Sequence, residues 1–241
     1  MKNYKSGIES KRKIYESAKR RFLIDGYQNA LIRDIVADAE SRLGLFTYYY
    51  DSKAAVAGEV CQELFANVKK GIKEILESLS LEQEELLYEM VHYRCWYRCI
   101  QSRADVERLW NECVHLTVFE YANFDRRKEH LWALVTRTER EKVSPEVELT
   151  EGYLSVITSI SIGIEKQLYG DLSTGRLKIT FDEAVDTFFE FFYSKIIADK
   201  QEVNRCIDLS RAISNHIRYA VEDDLSVNLT LDPEFRVELE Q

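Results

Sequence analysis

The chain has 241 residues, with 33 Lys plus Arg against 42 Asp plus Glu and a formal net charge of −9. Hydrophobic residues make up 45% and there are only two prolines, Pro145 and Pro233, which excludes extended disorder and collagen-like or proline-rich architectures. No apolar run reaches the roughly 18–20 residues of a bilayer crossing, and the segment from Met1 to Lys13 is too polar and basic for a signal peptide. A cytoplasmic chain with no membrane partner is expected. The five cysteines, Cys61, Cys95, Cys99, Cys113 and Cys206, are odd in number and lack the dense pairing of a secreted scaffold, so free thiols are expected.

The overall acidity hides a split. Residues 1–53 carry 11 basic and 7 acidic side chains, a balance of +4, which leaves −13 for residues 54–241. In the first 21 residues eight basic side chains face only Glu9 and Glu16. A basic segment on an acidic body is the electrostatic footprint of a polyanion-binding head, although a solvated helix face has the same composition.

From Ser10 the apolar residues Ile14, Ala18 and Phe22 recur at i, i+4 and i+8, which predicts a first helix closed by Asp25-Gly26. Asn29 is the expected cap of a second, short helix whose buried face reads Ile32, Ile35, Val36 and Ala39. After a break at 40–42, where Ser41 is the expected cap, the run from Leu43 to Tyr50 predicts a third helix. A long fourth one follows through Val60, Leu64, Val68 and Ile72. A short helix, a turn and a second short helix on a basic first helix form a helix-turn-helix.

The run Ile32-Arg33-Asp34-Ile35 through Ala39, then Gly44, Tyr48-Tyr49-Tyr50 and Ser52-Lys53, resembles the amino-terminal signature of TetR-type transcriptional regulators. The upstream Ile14, Ala18, Phe22 and Gly26-Tyr27 fall at that family's spacing. The resemblance covers residues 10–60. It implies an all-α fold with a three-helix DNA-binding head (1–53) and a helical ligand-binding and dimerisation domain (54–222), while the tail (223–241) falls outside the family pattern. By the same resemblance, Arg33 approaches DNA from the second helix. Arg42, Leu43, Gly44, Leu45, Thr47, Tyr48 and Tyr49 line the recognition helix, and Lys53 holds a phosphate. Tyr50 is expected in the head's core. The chain departs from the family at Glu40, where a glycine is usual and a left-handed backbone costs about 1 kcal/mol. Leu43 and Leu45 make the recognition helix unusually apolar.

The body reads as helices near 81–102, 105–123, 126–142 and 145–168, with Pro145 in a first turn. The capping box Thr180-Phe181-Asp182-Glu183 opens a helix to about Ala198. Leu154, Ile157, Ile160 and Ile164, paired with Phe188, Phe189 and Phe192, suit a four-helix homodimer interface. Tyr93, Trp96, Cys99, Trp110, His115, Phe119 and Trp132 are candidates to line a small-molecule pocket between bundle helices. His92, Cys95 and Cys99 share one helical face, with Cys113 and His115 following, but no compact ligand motif supports a metal, and none is expected. A helix near 200–221 precedes Leu225, Val227, Leu229 and Leu231, which alternate with polar residues. Phe235, Val237 and Leu239 alternate again after Asp232-Pro233-Glu234. This pattern fits either a β-hairpin across that turn or an acidic tail.

The function so implied is a ligand-responsive dimeric regulator, a repressor, that binds palindromic duplex DNA and is released by a small-molecule effector. The alternative is a protein-interaction adaptor on the same fold. No phosphate-binding glycine loop, zinc-protease helix or nucleophile elbow is present, so neither catalytic residues nor a cofactor are expected.

Overall fold

The stripe formed by Ile14, Ala18 and Phe22 is fully buried and lies on α1 (Lys2–Asp25). In the computed structural model, residues 2–237 are described, with side chains described for 7–116 and 124–237. α1 starts earlier than its apolar stripe, and α2 (Ile32–Asp38) and α3 (Leu43–Tyr49) pack on it and on each other. Asn29 does not cap α2. Its amide donates back to the Asp25 carbonyl (3.1 Å), and Leu31 takes the cap position without a side-chain bond. Ser41 likewise leaves the cap of α3 to Arg42. There follow α4 (Lys53–Ser78), α5 (Glu85–Gln101), α6 (Ala104–Cys113), α7 (Thr117–Arg137), α8 (Glu151–Ser173), α9 (Phe181–Tyr193), α10 (Lys200–Asn215), β1 (Ile217–Val221) and β2 (Val227–Leu231).

The break between the helices expected at 105–123 and 126–142 falls at 114–116 instead, and three further boundaries differ for a physical reason. Pro145 does not open α8. Val143 bridges to Ile197 as an isolated β-pair, with Ser144 N–H on the Ile196 carbonyl (2.8 Å), so the helix starts at Glu151 under a Thr150 cap. The same bridge ends α9 at Tyr193, short of Ala198. The hairpin exists, but it pairs 217–221 with 227–231 around a turn at 222–226. The stretch read as the end of the last helix is therefore its first strand. Leu239 lies outside the described residues.

The chain divides into two compact units. One contains the chain through Gly71, Trp96–Tyr121 and Tyr219–Leu229; the other contains Ile72–Cys95, Ala122–Arg218 and Thr230 onward. In the first unit the hairpin tip is tied down at several points. Lys19 donates to the Asp224 carbonyl (3.0 Å), Asn67 to that of Leu225 (2.9 Å) and Arg103 to that of Val221 (2.9 Å). Leu229 packs so closely on Gly71 that an added Cβ would stand 3.0 Å from its side chain.

In the second unit the capping box forms as expected, with Glu183 N–H on Thr180 Oγ1 (3.2 Å) and Thr180 N–H on Glu183 Oε2 (2.8 Å). Two buried ion networks tie its helices together. Arg94 is fully buried and binds Asp182 (2.9 Å), Asp186 and Ser210, joining α5 to α9 and α10. Arg127 of α7 binds Glu165 of α8 (2.6 Å) and lies 3.9 Å from Glu89 of α5. Burial disfavours its charge, but the Glu165 and Glu89 carboxylates outweigh that and hold the guanidinium above its ordinary pKa.

Candidate nucleic-acid interface

The head is built by polar ties around a small apolar core. Ser17 Oγ donates to the Ile35 carbonyl (2.8 Å), fastening α1 to α2. Arg21 grips Asp38 with two parallel bonds (2.6 and 2.9 Å), and this pairing holds the Asp38 carboxyl below its ordinary range. Gly26 takes φ +82°, the left-handed position that ends α1, and Tyr27 then packs on Phe22 with ring centroids 5.6 Å apart. Glu112 of α6 accepts from the Gln28 N–H (2.9 Å), and Arg108 donates to the terminal α1 carbonyls of Leu23 and Ile24.

Lys53 is placed differently from the expectation. Its ammonium donates to the carbonyls of Tyr27 (2.7 Å), Ala30 (2.9 Å) and Gln28 (3.3 Å) and sits over the Tyr27 ring (4.5 Å). Its donors thus close the α1–α2 turn, a demand of unpaired backbone that charge and position in the sequence do not reveal. Partial burial lowers its pKa.

The turn into α3 runs through Glu40 at φ +49°, with Ser41 N–H on the Val36 carbonyl (2.8 Å). α3 is anchored by Phe46, 1% exposed, and by Tyr50 just beyond its end, which is also buried. Every other position from 42 to 48 faces outward, led by Leu43 at 57% and Tyr48 at 77% exposure, with Arg42, Gly44, Leu45 and Thr47 also exposed and Tyr49 half-buried. Thr47 folds its hydroxyl back onto the Gly44 carbonyl (3.2 Å), leaving its methyl as the outward group. The basic first helix lies alongside. Lys11 stands 5.1 Å from the Tyr50 ring centre, and the Tyr49 hydroxyl is 3.4 Å from where a Gly7 Cβ would be. Arg33 projects from α2 into solvent.

Sequence reading missed a hollow of about 210 Å³ lined by Arg12, Lys13, Arg20 and the carboxylates of Glu16, Asp38 and Glu40. The excess of basic residues in α1 was the available signal, but not their convergence.

Among the described residues, those expected to line a ligand pocket are distributed over both units. In the first unit Trp96 packs edge-on against Trp110 (5.1 Å) and Phe65 (5.2 Å), Cys99 is fully buried, and His115 is exposed. In the second unit Tyr93 packs on Phe188 (5.6 Å) and Phe189 (5.3 Å). Trp132 is half-exposed and lines a hollow of about 350 Å³ with Lys128, Glu129, Glu151 and Leu154. Phe119 lies outside the described side chains.

Phe188, Phe189 and Phe192, expected at a dimer interface, are instead core residues of their own unit, and so is Leu154. Phe191 of the same helix is 62% exposed. Ile160 is exposed, and Ile157 and Ile164 are half-buried. Among the described residues, the donors of His92, Cys95, Cys99, Cys113 and His115 form no metal-binding group. Among the described residues, the three donors close enough to share an ion are those of Glu84, Glu202 and Cys206, and there Arg205 already pairs with both carboxylates.

No model of a known protein family matches the chain. It is 35% identical over 68 residues to the HTH-type transcriptional repressor DhaR of Mycobacterium sp. (strain GP1), which covers 28% of this chain and 34% of that protein. The chain thus matches about a third of the length of this curated relative. A crystal structure described as a TetR-family transcription regulator of Shewanella sp. PV-4 is similar with a TM-score of 0.50 at 11% identity, covering 78% of this chain and 98% of that one. The TetR-family protein CprB of S. coelicolor A3(2) gives 0.49 at 13% identity, covering 87% and 98%. No helix among the described residues is long and apolar enough to cross a membrane. With its helix-turn-helix head and helical body, the chain has the fold of the TetR-type transcription regulators.

Proposed function

We propose that the chain is a homodimeric, ligand-responsive transcriptional regulator of the cytoplasm, a repressor, that binds palindromic duplex DNA and is released by a small-molecule effector. The observation that carries this reading is α3, a short helix anchored by Phe46 and Tyr50 that turns Leu43, Gly44, Leu45, Thr47 and Tyr48 outward from a head of net charge +4. A helix so mounted fits a major groove, with Arg33 and Arg42 available to phosphates on either side.

One such helix reads few bases, and α8 supplies a reason for two. Its polarity is inverted, because the buried stripe includes Thr158, Ser161 and Glu165 while Val156 and Ile160 face out. An apolar face turned to solvent, together with the exposed Phe191 of α9, fits a second copy of the chain. The hollow beside Trp132 supports a place for an effector. Such an effector needs only unequal affinity for the DNA-competent and DNA-incompetent placements of the heads.

Selection of bound duplexes from a random pool tests the proposal. The expected product is a palindrome with half-sites about one helical turn apart, roughly 34–36 Å. A pool that stays unenriched refutes it.

A further inference from the structure

We infer that α3 reads thymine C5-methyl groups, so that the DNA this chain prefers is thymine-rich where α3 meets the major groove; the inference rests on the DNA-binding reading above. Bidentate recognition of base edges uses Arg or Lys on guanine, Asn or Gln on adenine, and Asp or Glu on cytosine. The helix Leu-Gly-Leu-Phe-Thr-Tyr-Tyr contains none of these types. Its one aliphatic hydroxyl, on Thr47, is already spent on the Leu43 and Gly44 carbonyls (3.4 and 3.2 Å), so that residue presents a methyl.

What remains exposed is Leu43, Leu45, the Thr47 methyl and the Tyr48 ring, with free space over Gly44. In the major groove only thymine offers an apolar group of its own, the C5-methyl, to such a surface. An apolar protein partner fits less well, because the patch is carried on a head of net charge +4 with Arg42 at the start of α3. Lys13, Arg20 and Arg42 have no salt-bridge partner among the described residues, and α1 and α2 add Lys11, Arg12 and Arg33. An apolar reader on a positively charged head matches a polyanion whose groove floor carries methyl groups.

The test uses the full chain and duplexes recovered from a random pool, resynthesised with deoxyuridine in place of thymine one position at a time. Deoxyuridine keeps every hydrogen-bonding group and removes only the methyl. Affinity should fall about fourfold at each contacted position, the effect of withdrawing one buried carbon group. Leu43→Ala, an exposed substitution, should bind the thymine and deoxyuridine versions of one position equally, and Leu45→Ala should do the same at a neighbouring one. If deoxyuridine changes nothing at any position of an enriched duplex, methyl reading is overturned while DNA binding stands. If no duplex is enriched, the DNA-binding reading falls, and this inference with it.

Discussion

Glu40 stands at φ +49°, in the left-handed region that an L side chain enters at a cost of about 1–2 kcal/mol. Its side chain is exposed and has no hydrogen bond or ion pair among the described residues, so Glu40→Gly removes neither. The turn's backbone bonds, Glu40 N–H to Ala37 (3.0 Å) and Ser41 N–H to Val36 (2.8 Å), are available to glycine as well. Glycine loses more chain freedom on folding, about 0.5–1 kcal/mol, which leaves a net gain of about 0.5–1 kcal/mol. For a chain of this size that is a rise in Tm of about 1–4 °C, read by thermal denaturation followed by circular dichroism. Glu40→Ala is the control, since it removes the carboxylate but keeps the strained backbone. The reasoning fails if Glu40→Gly lowers Tm, or if Glu40→Ala raises it equally, which would place the effect in charge and not in the turn.

Lys53→Met should destabilise the protein by about 1–2 kcal/mol in urea denaturation, because the Tyr27 and Ala30 carbonyls lose a charged donor, while the salt slope of DNA binding stays unchanged. A slope reduced by about one would return Lys53 to a phosphate. Arg127→Met leaves Glu165 buried without its partner and should cost about 3–5 kcal/mol in the same measurement. Asp38, held low by Arg21, contributes stability above the unfolded aspartate pKa of about 3.9 and loses it as pH falls through its lowered folded value. Melting temperature should therefore drop less steeply below about pH 4 in Asp38→Asn than in the parent. Phe191→Glu should convert the proposed dimer to monomer in sedimentation velocity without loss of helix content, since the side chain is exposed within one copy.

The parts of this fold legible in the sequence are those governed by local rules. The i, i+4, i+8 stripe of α1, the glycine after Asp25 and the Thr180–Glu183 capping box each act within a few residues, and each is where the pattern places it. What escaped the sequence depends on distant partners. Pro145 looked like a helix start until Val143 found Ile197, some fifty residues away. The strand alternation of 225–231 was visible, but its partner, 217–221, read as helix, because only pairing distinguishes the two periods there. In α9 four phenylalanines in five residues reveal an apolar segment without saying that Phe191 alone faces out. At the candidate site, residue types could be read directly, and so the apolar character of α3 was evident. The engagement of Lys53 by backbone carbonyls was not, since it is set by a turn twenty-odd residues earlier in the chain.

The affinity of the full chain for its selected duplex, measured across salt concentrations, tests the central claim most directly. The account predicts that log K falls linearly with log salt, with a slope of about −0.9 for each phosphate neutralised by the basic head. Affinity that is indifferent to salt would contradict it.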